Sequence, residues 1–248
     1  MVRAIIFKKQ DRGEADELVV FFSRELGWLS GVAKNAKKSR VRFGGHLEPF
    51  SLVDLSLRKR RKDDLVWIDE SQVLRGFLGI RKHIAKVARA SYFLELASVF
   101  LGEAQPDPEL FDFLVDILDA LSVAGPDPMR FLLDEIRLLG FLGYEPRFDW
   151  CSVCGKRLDV GQGVVFSPSG GGTCHVACAG PSLFPPLPLS PDTLAVVRRG
   201  LRVDREVAGR LKLNRKGQEE LRNALSAFVR HLRGAEISSL VFLEKMGL

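Results

Sequence analysis

The sequence predicts an α+β multidomain protein: a five-stranded β-barrel first, then an α-helical domain that carries an inserted metal-binding segment. Three observations lead there. The first 80 residues hold short apolar runs joined by turns, with no long helical period between them. From Ile80 onward apolar residues recur at threes and fours. All four cysteines crowd between residues 151 and 178.

The barrel builds up strand by strand. Residues 4–8 and 18–23 are apolar runs, and Glu25-Leu26-Gly27 is the turn into residues 28–33. Residues 50–57 alternate in part, with Leu52, Asp54 and Ser56 opposite Val53, Leu55 and Leu57. Residues 65–68 follow a charged tip at 60–64. Five short strands in so short a span fit a small closed barrel, and an OB-fold is the best-sized candidate.

In the helical part, Ala85, Ala88, Tyr92, Leu96, Val99 and Phe100 make one stripe. Asp107-Pro108-Glu109 combines an N-cap, a proline at the first helical position and an acid in the first turn. Asp127-Pro128 repeats the device and opens residues 129–142, with Gly143 as the stop. Ser190-Pro191-Asp192 repeats it again, and Asn214 caps a last long helix, 219–233, striped by Leu221, Leu225, Phe228, Val229 and Leu232. The expected domains are 1–80 (barrel), 81–145 with 186–248 (helical) and 146–185 (zinc-binding insert).

At 46% hydrophobic and 27% charged, the chain can bury a core, which excludes disorder and coiled coil. Its longest apolar stretches, 18–22 and 138–142, are far shorter than the roughly 18 residues of a membrane span. Residues 1–10 lack a signal peptide's apolar core, so a cytoplasmic protein is expected. The net charge of +6 is partitioned: +7 over residues 1–82, −7 over 83–150 and +6 over 151–248. Basic ends suggest a polyanionic partner. Lys34, Lys37, Lys38, Arg40 and Arg42 form one run, and Arg58, Lys59, Arg60, Arg61 and Lys62 a second. Two runs on one small barrel point to nucleic acid, because OB barrels track single strands along a positive groove. Arg198, Arg199 and Arg202 form a third, weaker strip. Phe43 and Phe50 are candidates for base stacking, although phenylalanine more often belongs to the core.

Cys151 and Cys154 form a C-x2-C knuckle followed by Gly155, and nineteen residues separate it from Cys174-His175-Val176-Ala177-Cys178. Two cysteine pairs so spaced predict one structural zinc per chain, held by Cys151, Cys154, Cys174 and Cys178. His175 is the alternative fourth ligand. With Asp159 as the one carboxylate inside the segment, no general base accompanies the metal, so a closed structural site is expected rather than a catalytic one. Phosphate-loop, dinucleotide, nucleophile-elbow and zinc-protease motifs do not occur, and no enzyme is expected.

At this level of detail the chain resembles the bacterial RecO family of recombination mediators. The resemblance rests first on Glu14, Asp16, Leu18, Val19, Phe22, Glu25 and Gly27, then on Ala33, Lys34, Lys37, Lys38, Ser39 and Phe43, and on Leu47-Glu48-Pro49-Phe50. Phe131-Leu132-Leu133, Glu135, Arg137-Leu138-Leu139, Gly143-Tyr144 and Pro146 then lead into Cys151, Cys154 and Gly155. It implies an N-terminal OB-fold, a helical domain, a four-cysteine zinc element and a nucleoid-associated cytoplasmic protein. It also implies binding of single- and double-stranded DNA and annealing of complementary strands. The implied protein partners are RecR, the acidic C-terminal tail of single-stranded DNA-binding protein and, indirectly, RecA. Arg130 and Arg137 are candidates for the tail because they stand out in an acidic block. Two other readings stay open: a zinc-containing OB-fold RNA-binding transcription or translation factor, and a metal-dependent nuclease using Asp112, Asp116 and Asp119 on one helix face.

Overall fold

The computed structural model describes residues 1–59, 65–102, 105–123, 125, 127–159, 163–180 and 185–247. The chain forms two compact units, Met1–Gly125 and Pro126–Leu248. This division places the first long helices with the barrel.

Five strands make the barrel: β1 (Val2–Arg12), β2 (Asp16–Ser23), β3 (Gly27–Ala33), β4 (Leu52–Lys59) and β5 (Val66–Arg75). They close in the order β1-β2-β3-β5-β4, every pairing antiparallel except β3 with β5. This is the OB arrangement expected from the sequence. β1 and β5 run longer than their apolar runs because bulges near Phe7 and Asp69 let polar residues continue the ladder. The barrel interior is filled by Ile6, Phe21, Val53, Leu55 and Ile68. Phe43, from the one-turn helix α1 (Arg40–Phe43), and Leu47 join that interior. Phe43 and Phe50 are 2% and 7% exposed, so neither ring is offered for stacking.

The second face of β1–β3 is buried as well. Trp28 stacks on Phe22 with centroids 5.0 Å apart, and Phe22 meets Phe111 at 5.9 Å. Phe111 comes from α4 (Pro108–Val123), which packs with α2 (Leu78–Arg81) and α3 (Ile84–Phe100). A strand buried on both faces reads as a continuous apolar run, which is why residues 18–22 do not alternate. α3 is buried almost all round, including Phe93, Leu94 and Ala97 outside its expected stripe. Asp107 caps α4 by accepting from the Leu110 amide at 2.9 Å.

Gly27 has φ +76°, and a Cβ there would lie 2.4 Å from the Gln105 carbonyl oxygen. Both the turn and the close approach require glycine. Gly27→Ala should therefore destabilise this unit by about 1–3 kcal/mol, read as a lower urea midpoint at constant m.

The second unit holds α5 (Pro128–Phe141), α6 (Pro191–Arg202), α7 (Arg205–Ala208), α8 (Arg215–Arg233) and α9 (Ser238–Lys245), and α8 packs against a small sheet. The expected caps are made: Asp127 accepts from the amides of Met129 and Arg130, Ser190 from Thr193 and Asn214 from Gly217. α8 starts directly after Asn214 and buries Leu221, Leu225, Phe228 and Val229. The sheet of β6 (Val164–Ser167), β7 (Gly172–His175) and β8 (Leu187–Pro188) is ordered β7-β6-β8. Phe166 of β6 packs against Phe148 at 6.0 Å and Phe228 of α8 at 5.9 Å, so the insert shares a core with the helices.

Candidate metal centre and nucleic-acid interface

The knuckle after Phe148 is built by backbone geometry. Gly155 takes φ +71°, its amide donates to the Cys151 carbonyl at 2.9 Å, and the Cys154 amide points to the Cys151 sulfur at 3.5 Å. The glycine run 170–172 turns β6 into β7. There Gly172, at φ +152°, lies against the Arg147 backbone, and the Thr173 amide donates to the Arg147 carbonyl. These contacts bring four ligand atoms within 4.8 Å of one another: the sulfurs of Cys151, Cys154 and Cys178 and a ring nitrogen of His175. His175 Nδ1 lies 3.6 Å from the Cys154 sulfur and 3.8 Å from that of Cys178. A tetrahedral zinc with ordinary bond lengths has S···N edges of about 3.5 Å. The donor set therefore fits zinc.

Cys174 is fully buried and stands outside this group. Neighbouring residues of a strand point to opposite faces, so β7 brings His175 into the group and leaves Cys174 out of it. The C-x3-C spacing, which leaves two residues between His175 and Cys178 in an H-x2-C frame, was compatible with this outcome without deciding it. Burial pushes the Cys174 thiol up, and the charge of Cys151 and Cys154 adds to the shift. For Cys151 burial works in the same direction, but amides of Cys154, His175 and Val153 outweigh it and lower the thiol to about 6. Cys178 is pushed up to about 11, by burial first and then by the neighbouring sulfurs. Among the described residues this is the one group of metal-ligating side chains drawn together.

The three carboxylates of the nuclease reading are not gathered for a metal. Arg24 donates to both oxygens of Asp112 at 3.0 and 2.9 Å, and Arg75 pairs with Asp119. The Arg24 hydrogen bonds hold the Asp112 carboxyl below its usual range.

The first basic run spans the loop from β3 and the start of α1. Lys34, Lys38 and Arg40 are exposed, and Lys34 sits over the half-buried ring of Trp67 at 4.6 Å. Lys37 pairs with Asp11 at 2.9 Å. Arg42 has a different role, donating to Ser39 Oγ and the Lys34 carbonyl and thereby fastening the loop to its own base. In the second run Arg58 pairs with Asp69 at 3.0 Å. Arg60, Arg61 and Lys62 lie outside the described residues, as does the side chain of Lys59. Trp67 was not singled out from sequence; its position on β5 opposite Arg58 puts an aromatic among these cations.

The third strip divides. Arg199 and Arg202 are exposed, Arg202 reaching Asp149 at 2.7 Å. Arg198 is turned inward, donating to the carbonyls of Phe148 at 2.9 Å and Leu158 at 3.2 Å. It fastens α6 to the knuckle. Arg198→Ala should cost about 2 kcal/mol of stability, measured by thermal unfolding.

A further cationic cluster surrounds Asp134, which is 3% exposed. Arg205 donates to both its oxygens at 2.8 and 2.7 Å, Arg137 lies 3.5 Å away and Arg130 3.8 Å. Three guanidinium groups face one carboxylate. Burial lowers the pKa of Arg137, with Asp134 opposing. Arg137 also donates to the carbonyls of Gly200 at 2.8 Å and Val203 at 3.3 Å, and lines a cavity of about 380 Å³ with Ile136, Phe141, Glu145 and Leu201.

Comparison with known proteins gives family matches over both parts of the chain. The model described as "Recombination protein O N terminal" matches residues 1–77, and "Recombination protein O C terminal" matches residues 81–240. A DNA repair protein RecO from Anaeromyxobacter dehalogenans is 37% identical over 244 residues, covering 98% of this chain and 95% of that one. Proteins of the same description from Syntrophus aciditrophicus and Myxococcus xanthus are each 32% identical, over 98% and 99% of this chain and 95% and 97% of their own. Among the described residues no helix is long and apolar enough to cross a membrane.

Proposed function

The chain belongs to the RecO family of bacterial DNA-repair proteins, and on that premise we propose a non-enzymatic cytoplasmic mediator of recombinational repair. It binds single- and double-stranded DNA, anneals complementary strands and, with RecR, helps load RecA onto strands coated by single-stranded DNA-binding protein. The observation that carries this reading is similarity to RecO proteins over both the barrel and the helical part, joined to a barrel that exposes Lys34, Lys38 and Arg40 in the loop into α1 and at its first residue.

The finer assignments follow from charge and geometry. Lys34, Lys37, Lys38 and Arg40 contact phosphates, with Arg58 to Lys62 as a second strip and Arg199 and Arg202 as a third. Phosphate contacts suit a protein that must grip two strands of any sequence, since base-edge readout would restrict it. One zinc per chain is held by Cys151, Cys154, His175 and Cys178 and folds the insert. The working division is 1–80 for DNA binding, 81–145 with 186–248 for protein contacts and 146–185 for the zinc element. Arg130 and Arg137 are the candidates for the acidic tail of single-stranded DNA-binding protein, supported by the excess of positive charge around Asp134.

A gel-shift series with equal lengths of single-stranded DNA, duplex DNA and RNA, repeated with Mg²⁺, tests the reading. Both DNA forms should be retarded and none cleaved. Binding confined to RNA, or Mg²⁺-dependent cleavage, would overturn it.

A further inference from the structure

Trp150 is an unusual residue for the rim of a structural knuckle. It is 54% exposed, although a tryptophan of this size is normally sheltered. Its backbone is held firmly on both sides: the Cys151 amide donates to the Lys156 carbonyl at 2.7 Å, the Leu158 amide to the Asp149 carbonyl at 3.2 Å. Trp150 and Arg157 form a β-bridge between these bonds. Residues directly opposed in an antiparallel bridge share a face, so the Arg157 side chain leaves on the side of the indole.

The indole lines a cavity of about 620 Å³ that runs to α6. Arg147, Arg198 and Arg202 line the same cavity against Glu145 and Asp149, leaving one positive charge in excess. Arg147 is exposed while its backbone is fixed against β7 by the Thr173 amide, which donates at 2.8 Å. Exposed Lys156 and Arg157 extend the positive rim. A rigidly mounted aromatic in a groove edged by arginines is the arrangement that single-stranded nucleic acid uses, bases stacking on the ring while cations follow the phosphates.

We propose that Trp150 is a base-stacking platform of a second single-strand contact, on the zinc-knuckle side of the α6 groove. The inference rests on the DNA-binding reading and deepens it, since the third basic strip then gains an aromatic partner. Stacking contributes without releasing counterions. It should therefore change affinity and leave the salt slope alone, whereas loss of a phosphate contact changes both.

The test uses the full chain with an oligothymidylate and a strand of the same length and charge carrying abasic sites. The expected result for Trp150→Ala is about a tenfold loss of affinity for the intact strand at unchanged salt slope, and little change for the abasic one. Trp150→Tyr should retain most of the affinity. In the unaltered protein the intact strand should quench tryptophan emission, and Trp150→Phe should lower that quenching, leaving the share of Trp67 beside Lys34; this readout holds even if the alanine variant folds poorly. Intact and abasic strands bound in the wild-type ratio by Trp150→Ala, or quenching by Trp150→Phe undiminished from that of the unaltered protein, would overturn the assignment while leaving DNA binding in place. Failure of the unaltered protein to bind either strand would overturn the DNA-binding reading as well.

Discussion

His175→Ala should strip the metal and unfold the insert, while Cys174→Ser should keep one zinc per chain. The contrast follows from β7: the strand alternates, so one of two adjacent ligand types faces the knuckle, and that one is His175, with Nδ1 3.6 Å from the Cys154 sulfur. A structural zinc in a small module contributes on the order of 10 kcal/mol of local folding free energy. Its loss should be among the largest effects of any single change in this chain. The damage should spread, because Phe166 of the insert packs on Phe228 of α8 at 5.9 Å. Metal content by mass spectrometry and near-ultraviolet circular dichroism of the two variants would check it. Zinc lost from Cys174→Ser and kept by His175→Ala would reverse the ligand assignment.

The second large effect concerns salt. Replacing Lys34, Lys38 and Arg40 together by Ala should shallow the log–log salt slope on single strands by about 2, at roughly 0.7 per phosphate contact, and weaken all sequences alike. Lys37→Ala should do less, because its ammonium already pairs with Asp11 at 2.9 Å. Arg42→Ala should disturb the loop rather than the slope, since its donors are committed to Ser39 and the Lys34 carbonyl. Fluorescence anisotropy at several salt concentrations measures each. A triple variant with the full slope would place the strand elsewhere.

Much of the architecture was legible because it rests on local signals. Turn residues and short apolar runs mark the five strands, and Asp127, Ser190 and Asn214 stand at helix starts where their side-chain oxygens accept from free amides. What escaped the sequence depends on tertiary context. The bulge at Asp69 carries β5 to Arg75 through polar residues that look like loop. The all-round burial of α3 hides any stripe from a periodicity count. The cysteine cluster was recognisable by spacing, but the fourth ligand was not, because it depends on which face of a four-residue strand meets the knuckle. Charge runs showed where cations are dense without showing which are spent: Arg42 and Arg198 sit in basic strips yet hold carbonyls of the protein itself.

Strand annealing by this chain can be read directly in one assay. Two complementary oligonucleotides, each coated with single-stranded DNA-binding protein, are mixed with and without the chain, and duplex formation is followed by energy transfer between end labels. The prediction is rapid annealing with the unaltered protein and a marked slowing with the Lys34, Lys38 and Arg40 triple variant. Duplex formation no faster than in the absence of protein, under conditions where the chain demonstrably binds the uncoated strands, would contradict it.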